Sequence, residues 1–312
     1  MMKLAFVFPG QGSQAVGMMD AWSGHPAAQQ VIAQASEALG EDLGALMAQG
    51  PAEQLSLTTH TQPAMLTAGV AMYEAWRAAG GPQAALMAGH SLGEYAALTA
   101  AGALSLADAV RLVRVRADAM QAAVPVGTGA MAAVLGLEDH LVQKACLEAA
   151  QGEIVEAVNF NAPSQVVIAG HATAVQRAIV TAKAAGAKRA LLLPVSAPFH
   201  SSLLKPAADV LAGALAKINV VTPAVAVVNN VDVAIEQSPE AIRDALVRQA
   251  WHAVRWVEVI QFMKAQGVTH IIECGPGKVL AGMIKRIDPD LIALSVTDPD
   301  SMQAALDALA VA

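Results

Sequence analysis

The chain has 312 residues, is 55% hydrophobic and only 14% charged, and carries a formal net charge of −7. That length allows one large domain, or a large one carrying a smaller one, and the acidic balance excludes the electrostatic footprint of a nucleic-acid binder. Gly, Pro, Gln, Ser or charged residues break every apolar run well short of the ~18 residues a membrane-spanning helix needs, so we expect a large core and no membrane span.

At the start, Lys3 and then LAFVF are too short for the apolar region of a secretory signal. Cys146 and Cys274 form neither a disulfide framework nor a metal cluster and read as small buried apolar side chains. A reducing, cytoplasmic setting fits them.

Lys3 to Phe8 predicts a strand buried on both faces, as in a parallel sheet. Pro9 to Gln14 is a glycine-rich turn without the endings or spacing of a phosphate loop. Helices are expected near Pro26 to Leu39 and Gln62 to Ala79. The apolar run Ala84 to Ala88 predicts a strand, and Gly89, Ser91 and Gly93 spell G-x-S-x-G ahead of a helical run from Glu94. Strand, glycine turn and helix is the setting of a nucleophile elbow. A structural turn is the alternative. A further helix is expected from Leu106 to Ala122.

From about residue 126 the character changes. The pattern predicts a strand (Ala130 to Leu137), a helix (Glu138 to Ala150), two strands (Ile154 to Phe160, Gln165 to Ala169), a helix (Ala174 to Ala185) and a strand (Arg189 to Val195). That β-α-β-β-α-β order is ferredoxin-like, and it suggests a small domain, 126–197, inserted in a core of residues 1–125 and 198–312. Afterwards helices (Ser201 to Ala216, Pro239 to Gln249, Val254 to Gln266) alternate with strands (Val225 to Val228, Thr269 to Cys274, Leu291 to Val296). Such alternation implies a parallel sheet with both faces covered, and active residues at the carboxyl ends of its strands.

Ser91 needs a base. His90 is its neighbour, but adjacent side chains on a tight turn diverge, so it reads as structural. His200 follows PVSAPF, stiffened by Pro194 and Pro198. It is either that base or a hydrogen-bonded surface histidine. Arg116 falls among Ala109, Val110, Leu112, Val113, Ala117 and Met120 on one helical arc. A guanidinium there meets either an internal carboxylate or the carboxylate of a substrate. Gly275-Pro276-Gly277-Lys278 reads as a plain turn. No histidine spacing indicates a metal.

FVFPGQGSQ (Phe6 to Gln14), TQPA (Thr61 to Ala64), GHSLGEYAAL (Gly89 to Leu98), GTGAMAAVLGL (Gly127 to Leu137), VNFNAPSQVVIAG (Val158 to Gly170), PVSAPFHS (Pro194 to Ser201), VVNN (Val227 to Asn230) and ECGPGKVL (Glu273 to Leu280) together resemble the malonyl-CoA:acyl carrier protein transacylases of bacterial fatty acid synthesis. The resemblance implies an α/β-hydrolase-like core with a ferredoxin-like insert. It makes Ser91 the nucleophile and His200 its base, with the imidazole steered by the backbone carbonyl of Gln249. The oxyanion hole is then the amides of Gln11 and Leu92. Arg116 matches the arginine that pairs with the malonyl carboxylate, and Gln62 and Asn161 match polar pocket residues. Phe199 suits a pocket too narrow for an α-methyl group. It further implies a cytoplasmic, monomeric enzyme without metal or redox cofactor, acting on malonyl-CoA and acyl carrier protein. Carrier proteins are acidic, so docking calls for a local basic patch. Lys188-Arg189 and Lys285-Arg286 are the adjacent basic pairs available. A hydrolase, a non-catalytic binding module, or a transacylase serving a polyketide or malonate decarboxylase carrier are the rival readings.

Overall fold

The computed structural model describes residues 2–311. Nine strands appear among them: β1 (Leu4–Phe8), β2 (Leu86–Gly89), β3 (Gly129–Leu135), β4 (Val155–Ala162), β5 (Gln165–His171), β6 (Arg189–Leu192), β7 (Ala226–Val228), β8 (His270–Cys274) and β9 (Ile292–Val296). They form a five-stranded parallel sheet in the order β7-β2-β1-β8-β9 and a separate four-stranded antiparallel sheet in the order β4-β5-β3-β6.

Strand β1 lies at the centre of the parallel sheet, and all five of its residues are buried. Alternate side chains leave a strand on opposite faces. Phe6 and Phe8 therefore join one core, with Met87, Ile272 and residues of the helices Thr58–Ala78, Gly93–Ala100 and Leu106–Ala123. Ala5 and Val7 join the other, with Leu86, Ile271 and residues of Trp256–Ala265 and Val279–Ile287. Burial on both faces is why the strand reads as an unbroken apolar run. Phe8 pairs with Gly89 across β1 and β2, so the turns that follow these two strands emerge side by side.

The helix expected from Gln62 starts four residues earlier, at Thr58, and carries Pro63 inside it. Proline lacks the amide that would bond the carbonyl four residues back. That carbonyl, on Thr59, accepts the Nε–H of Arg114 instead, at 2.8 Å. The short helix Leu43–Gln49 was not expected. Asp42 caps it by accepting the Ala45 amide at 2.8 Å, and it buries Leu43, Leu46 and Met47. Strand β6 ends at Leu192 rather than Val195; Leu193 still donates to the Met131 carbonyl, but Pro194 has no donor to extend the pairing.

One face of the antiparallel sheet (Ala132, Val134, Val166, Ile168) packs on the helices Asp139–Ala150 and Ala172–Ala184. The other face, through Met131 and Val167, looks into a cleft against the parallel sheet. Strand β4 docks it there: Val254 donates to the Val158 carbonyl at 2.8 Å and Phe160 donates to Val254 at 3.0 Å. No helix among the described residues is long and apolar enough to cross a membrane.

Candidate active site

The turn after β2 is shaped by what has no room there. A Cβ on Gly89 would lie 1.8 Å from the Gly93 carbonyl carbon, and one on Gly93 would lie 2.0 Å from the Phe8 carbonyl oxygen. With glycine at both places the helix Gly93–Ala100 starts directly against the ends of β1 and β2. Ser91 sits at the apex with φ +52°, in the left-handed region that side chains seldom adopt. Its amide donates to Asn230 Oδ1 at 2.7 Å, and its carbonyl accepts Gln249 Nε2 at 2.9 Å. These bonds hold a conformation that costs on the order of 1–3 kcal/mol.

His200 is the second left-handed non-glycine residue here, at φ +66°. Its Nδ1–H donates to the backbone carbonyl of Gln249 at 2.9 Å. That bond leaves Nε2 as the acceptor, and the Ser91 hydroxyl lies 2.6 Å from it. His200 is only 4% exposed. Burial first, and then the Arg116 charge, push its pKa down to about 3, so the imidazole is neutral at ordinary pH and its Nε2 lone pair is open to a proton.

Arg116 is 3% exposed. Its guanidinium donates to Gln62 Oε1 at 2.7 Å, Ser91 Oγ at 3.0 Å and Gln249 Oε1 at 3.1 Å, and it lies 5.3 Å from the centre of the Tyr95 ring. All the hydrogen-bonding partners are neutral, and the Nε–H has none. Burial pulls the Arg116 pKa below its ordinary value. Of the two possibilities left by the helical pattern, the internal ion pair is not what the described residues provide.

The cleft holds about 610 Å³, part of it open to solvent, and Gln11, Gln62, Ser91, Leu92, Arg116, Phe199 and His200 all line it. The backbone amides of Gln11 and Leu92 donate to no other described residue, and both residues line the cleft that Ser91 lines. Gln62 is held by Thr58 at 3.3 Å, and Thr58 in turn donates to Gln11 Oε1 at 2.8 Å.

Asn161 is placed differently from the expectation. It is buried and bonded through Oδ1 to His90 Nε2 at 2.7 Å, and it does not line the cleft. Asn159, two residues earlier, does. Strand β4 has a register irregularity between Ala157 and Asn159, and another between Phe160 and Ala162, so simple alternation does not give the facing of its side chains. His90, expected to be structural, holds Asn161 and also reaches the cleft.

Lys188, Arg189, Lys285 and Arg286 are all exposed, and none lines the cleft. One residue of each pair is nevertheless tied to the same end of the antiparallel sheet. Arg189 pairs with Leu135, Leu135 with Gln165, and Arg286 donates to the Gln165 side chain and the Pro163 carbonyl.

Sequence reasoning did not single out Glu94 or Asn230. Both are buried, and the Asn230 amide donates to Glu94 Oε2 at 2.9 Å. Burial raises the Glu94 pKa to about 7. A signal for Glu94 was present: it is the single charged residue in the helix GEYAALTA.

A serine hydroxyl 2.6 Å from an imidazole nitrogen, with the other ring nitrogen held by a backbone carbonyl, can do the chemistry of an acyl-transferring serine enzyme. The comparisons agree. Residues 5–288 match the family model described as acyl transferase domain. The chain is 58% identical over 308 residues to the malonyl CoA-acyl carrier protein transacylase of Escherichia coli (strain K12), covering 98% of this chain and 100% of that one. It is 60% identical to the crystal structure of an acyl-carrier-protein S-malonyltransferase from Burkholderia pseudomallei 1710b, with a TM-score of 0.97 and coverage of 98% and 100%. It also superimposes, with a TM-score of 0.97 and 53% identity over 98% of this chain and 99% of the other, on the structure of a type II PKS acyl-carrier protein in complex with its malonyl-transacylase. The chain belongs to the malonyl CoA-acyl carrier protein transacylase family.

Proposed function

We propose that the chain transfers the malonyl group of malonyl-CoA to the phosphopantetheine thiol of acyl carrier protein, supplying fatty acid chain elongation, by a ping-pong route through Ser91. The observation that carries this reading is the Arg116 guanidinium, buried without a carboxylate partner 3.0 Å from the Ser91 hydroxyl. A cation so placed suits an acyl group that ends in a carboxylate.

In the first half-reaction Ser91 Oγ bonds to the thioester carbonyl carbon while its proton passes to His200 Nε2. The developing oxyanion is received by the amides of Gln11 and Leu92. The C–S bond then breaks, and the proton goes to the departing CoA sulfur. In the second half-reaction the carrier thiol gives its proton to His200 and attacks the malonyl ester, and Ser91 recovers the proton as it leaves. Nδ1–H stays on the Gln249 carbonyl throughout. Phe199 narrows the pocket against an α-methyl group, and Asn161 acts from behind, through His90. This route uses no metal or redox cofactor.

We read the parallel sheet with its elbow as an α/β-hydrolase-like core, residues 1–125 and 198–312. The antiparallel sheet, 126–197, is read as a ferredoxin-like insert; its strand order and two helices on one face support this. All parts of the site come from one chain, which suits a monomer, and the buried free Cys146 and Cys274 suit a cytoplasmic setting. The exposure of both basic pairs, and the tie of Arg189 and Arg286 to the same end of the small sheet, support carrier docking there. Charge reversal there should raise KM for carrier protein and leave malonyl-CoA kinetics unchanged; unaltered carrier kinetics at low salt removes the docking assignment.

The functional reading is tested by incubation with malonyl-CoA, with and without phosphopantetheinylated carrier. Transfer predicts sustained CoA release only with the acceptor. Sustained release without it indicates a hydrolase.

A further inference from the structure

Glu94 is a buried carboxylate with no cation in contact. It is 2% exposed, and Oε2 takes two neutral donors, the Asn230 amide at 2.9 Å and Gln249 Nε2 at 3.0 Å. Taking a carboxylate out of water is costly, the Arg116 charge reaches it only without contact, and nothing in the transfer steps above uses it. What the carboxylate does is visible one residue further on.

A glutamine amide presents two donors at one end and an acceptor at the other, and the two ends have nearly the same shape. Gln249 Nε2 donates to Glu94 Oε2 and, at 2.9 Å, to the Ser91 carbonyl. Both of its N–H groups are thereby used. Oε1 is left facing Arg116 Nη2 at 3.1 Å. In the opposite sense Oε1 would face a carboxylate and a carbonyl, and the NH2 group would face a guanidinium. The ionised Glu94, together with the Ser91 carbonyl and the Arg116 guanidinium, excludes that sense.

The consequence falls on Arg116. Gln249 Oε1 and Gln62 Oε1 hold the guanidinium from two directions with neutral acceptors. They orient it without cancelling its charge. Were the Gln249 amide free to turn over, one of these supports would become a repelling donor.

We propose that Glu94 is a positioning residue for acyl selectivity: it sets the sense of the Gln249 amide and thereby aims Arg116 at the carboxylate of the incoming acyl group. The proposal rests on the functional reading above.

The test is a competition between malonyl-CoA and acetyl-CoA, read as the ratio of their kcat/KM values for wild type and Glu94→Gln. The ratio is internal to each sample, so a partly folded preparation still reports it. We expect it to fall about 10-fold, the size of one lost charge-assisted hydrogen bond, chiefly through a raised KM for malonyl-CoA. Acetyl kinetics should change much less. A merely structural Glu94 would lower both substrates together and leave the ratio alone, and that result overturns the proposal. Combining Glu94→Gln with Arg116→Ala should lower the ratio no further than Arg116→Ala does; a multiplicative loss also overturns it. Should Glu94→Gln fail to fold, Gln249→Leu removes the same link from its other end with the same expected fall, and an unchanged ratio counts equally against the proposal. A wild type that does not prefer malonyl-CoA sinks the functional reading itself. A wild type that prefers it, beside a variant with the same preference, sinks only the role of Glu94.

Discussion

Arg114 and Arg116 lie two residues apart on the helix Leu106–Ala123, and the two sides of that helix treat them in opposite ways. On the outer side, Arg114 meets both carboxylate oxygens of Glu41, at 2.6 and 2.7 Å, and closes the Thr59 carbonyl left open by Pro63. Hydrogen bonding to Glu41 raises its pKa. On the inner side, Arg116 is deeper, meets only neutral acceptors and keeps an unpartnered Nε–H, and burial lowers its pKa. The first arginine is completed by the fold. The second is oriented but not neutralised, and the acyl carboxylate of the proposed substrate would complete it.

The harshest break of this comparison removes the hydroxyl toward which the inner arginine points. Ser91→Ala should abolish acyl-enzyme formation, and His200→Ala should leave only the small residual rate that amides and binding alone provide. Acyl-enzyme trapping by rapid quench checks both; a normal acyl-enzyme yield in Ser91→Ala would remove the assignment.

Next in size is the arginine. Arg116→Ala should weaken malonyl transfer by at least ~10-fold while acetyl transfer holds or improves. Arg116→Lys should restore little, because a point charge does not reproduce the guanidinium fork. Equal losses of malonyl and acetyl activity would make Arg116 structural, like its neighbour.

A smaller effect is read in pH. Protonation of His200 removes the base, and its pKa is pushed down to about 3 by burial and by Arg116. The base form therefore persists as pH falls, and the rate of Ser91 labelling by a fluorophosphonate should stay level from pH 8 to below 6. A decline with a midpoint near 6.5, the ordinary value for histidine, would contradict this environment.

The smallest effect is on the outer side. Arg114→Ala should cost about 1–2 kcal/mol of stability, most of it from the opened Thr59 carbonyl, since a partly exposed ion pair contributes little. Thermal unfolding measures the loss. The malonyl-to-acetyl ratio should not move; if it moved as far as in Arg116→Ala, the contrast between the two sides would fail.

Much of this was legible in the chain because some residues admit few settings. An unbroken apolar run such as Leu4 to Phe8 suits burial on both faces of a sheet, and glycines around a serine between strand and helix mark a tight turn. Arg116 stood out because a cation on an apolar arc breaks the helical period. Asn161 and the basic pairs were less legible. Strand β4 is irregular at Asn159 and Asn161, so the period of two does not report which side chain faces the cleft. Lys188-Arg189 and Lys285-Arg286 are linked only through strand pairing and the contact of Arg286 with Gln165, which no local pattern carries. Glu94 is the instructive omission: a lone carboxylate in an apolar helix gives the same signal as Arg116, with the opposite charge.

The central claim is that the cleft loads a carboxylated acyl group onto Ser91, with Arg116 as its anchor. The most direct measurement mixes the protein with equal malonyl-CoA and acetyl-CoA, without carrier, and maps the adduct by mass spectrometry of the digested chain. We predict a single acyl adduct, malonyl in large excess over acetyl, on the peptide that contains Ser91. An adduct on Ser201 or Ser202, or malonyl and acetyl in equal amounts, would contradict the account.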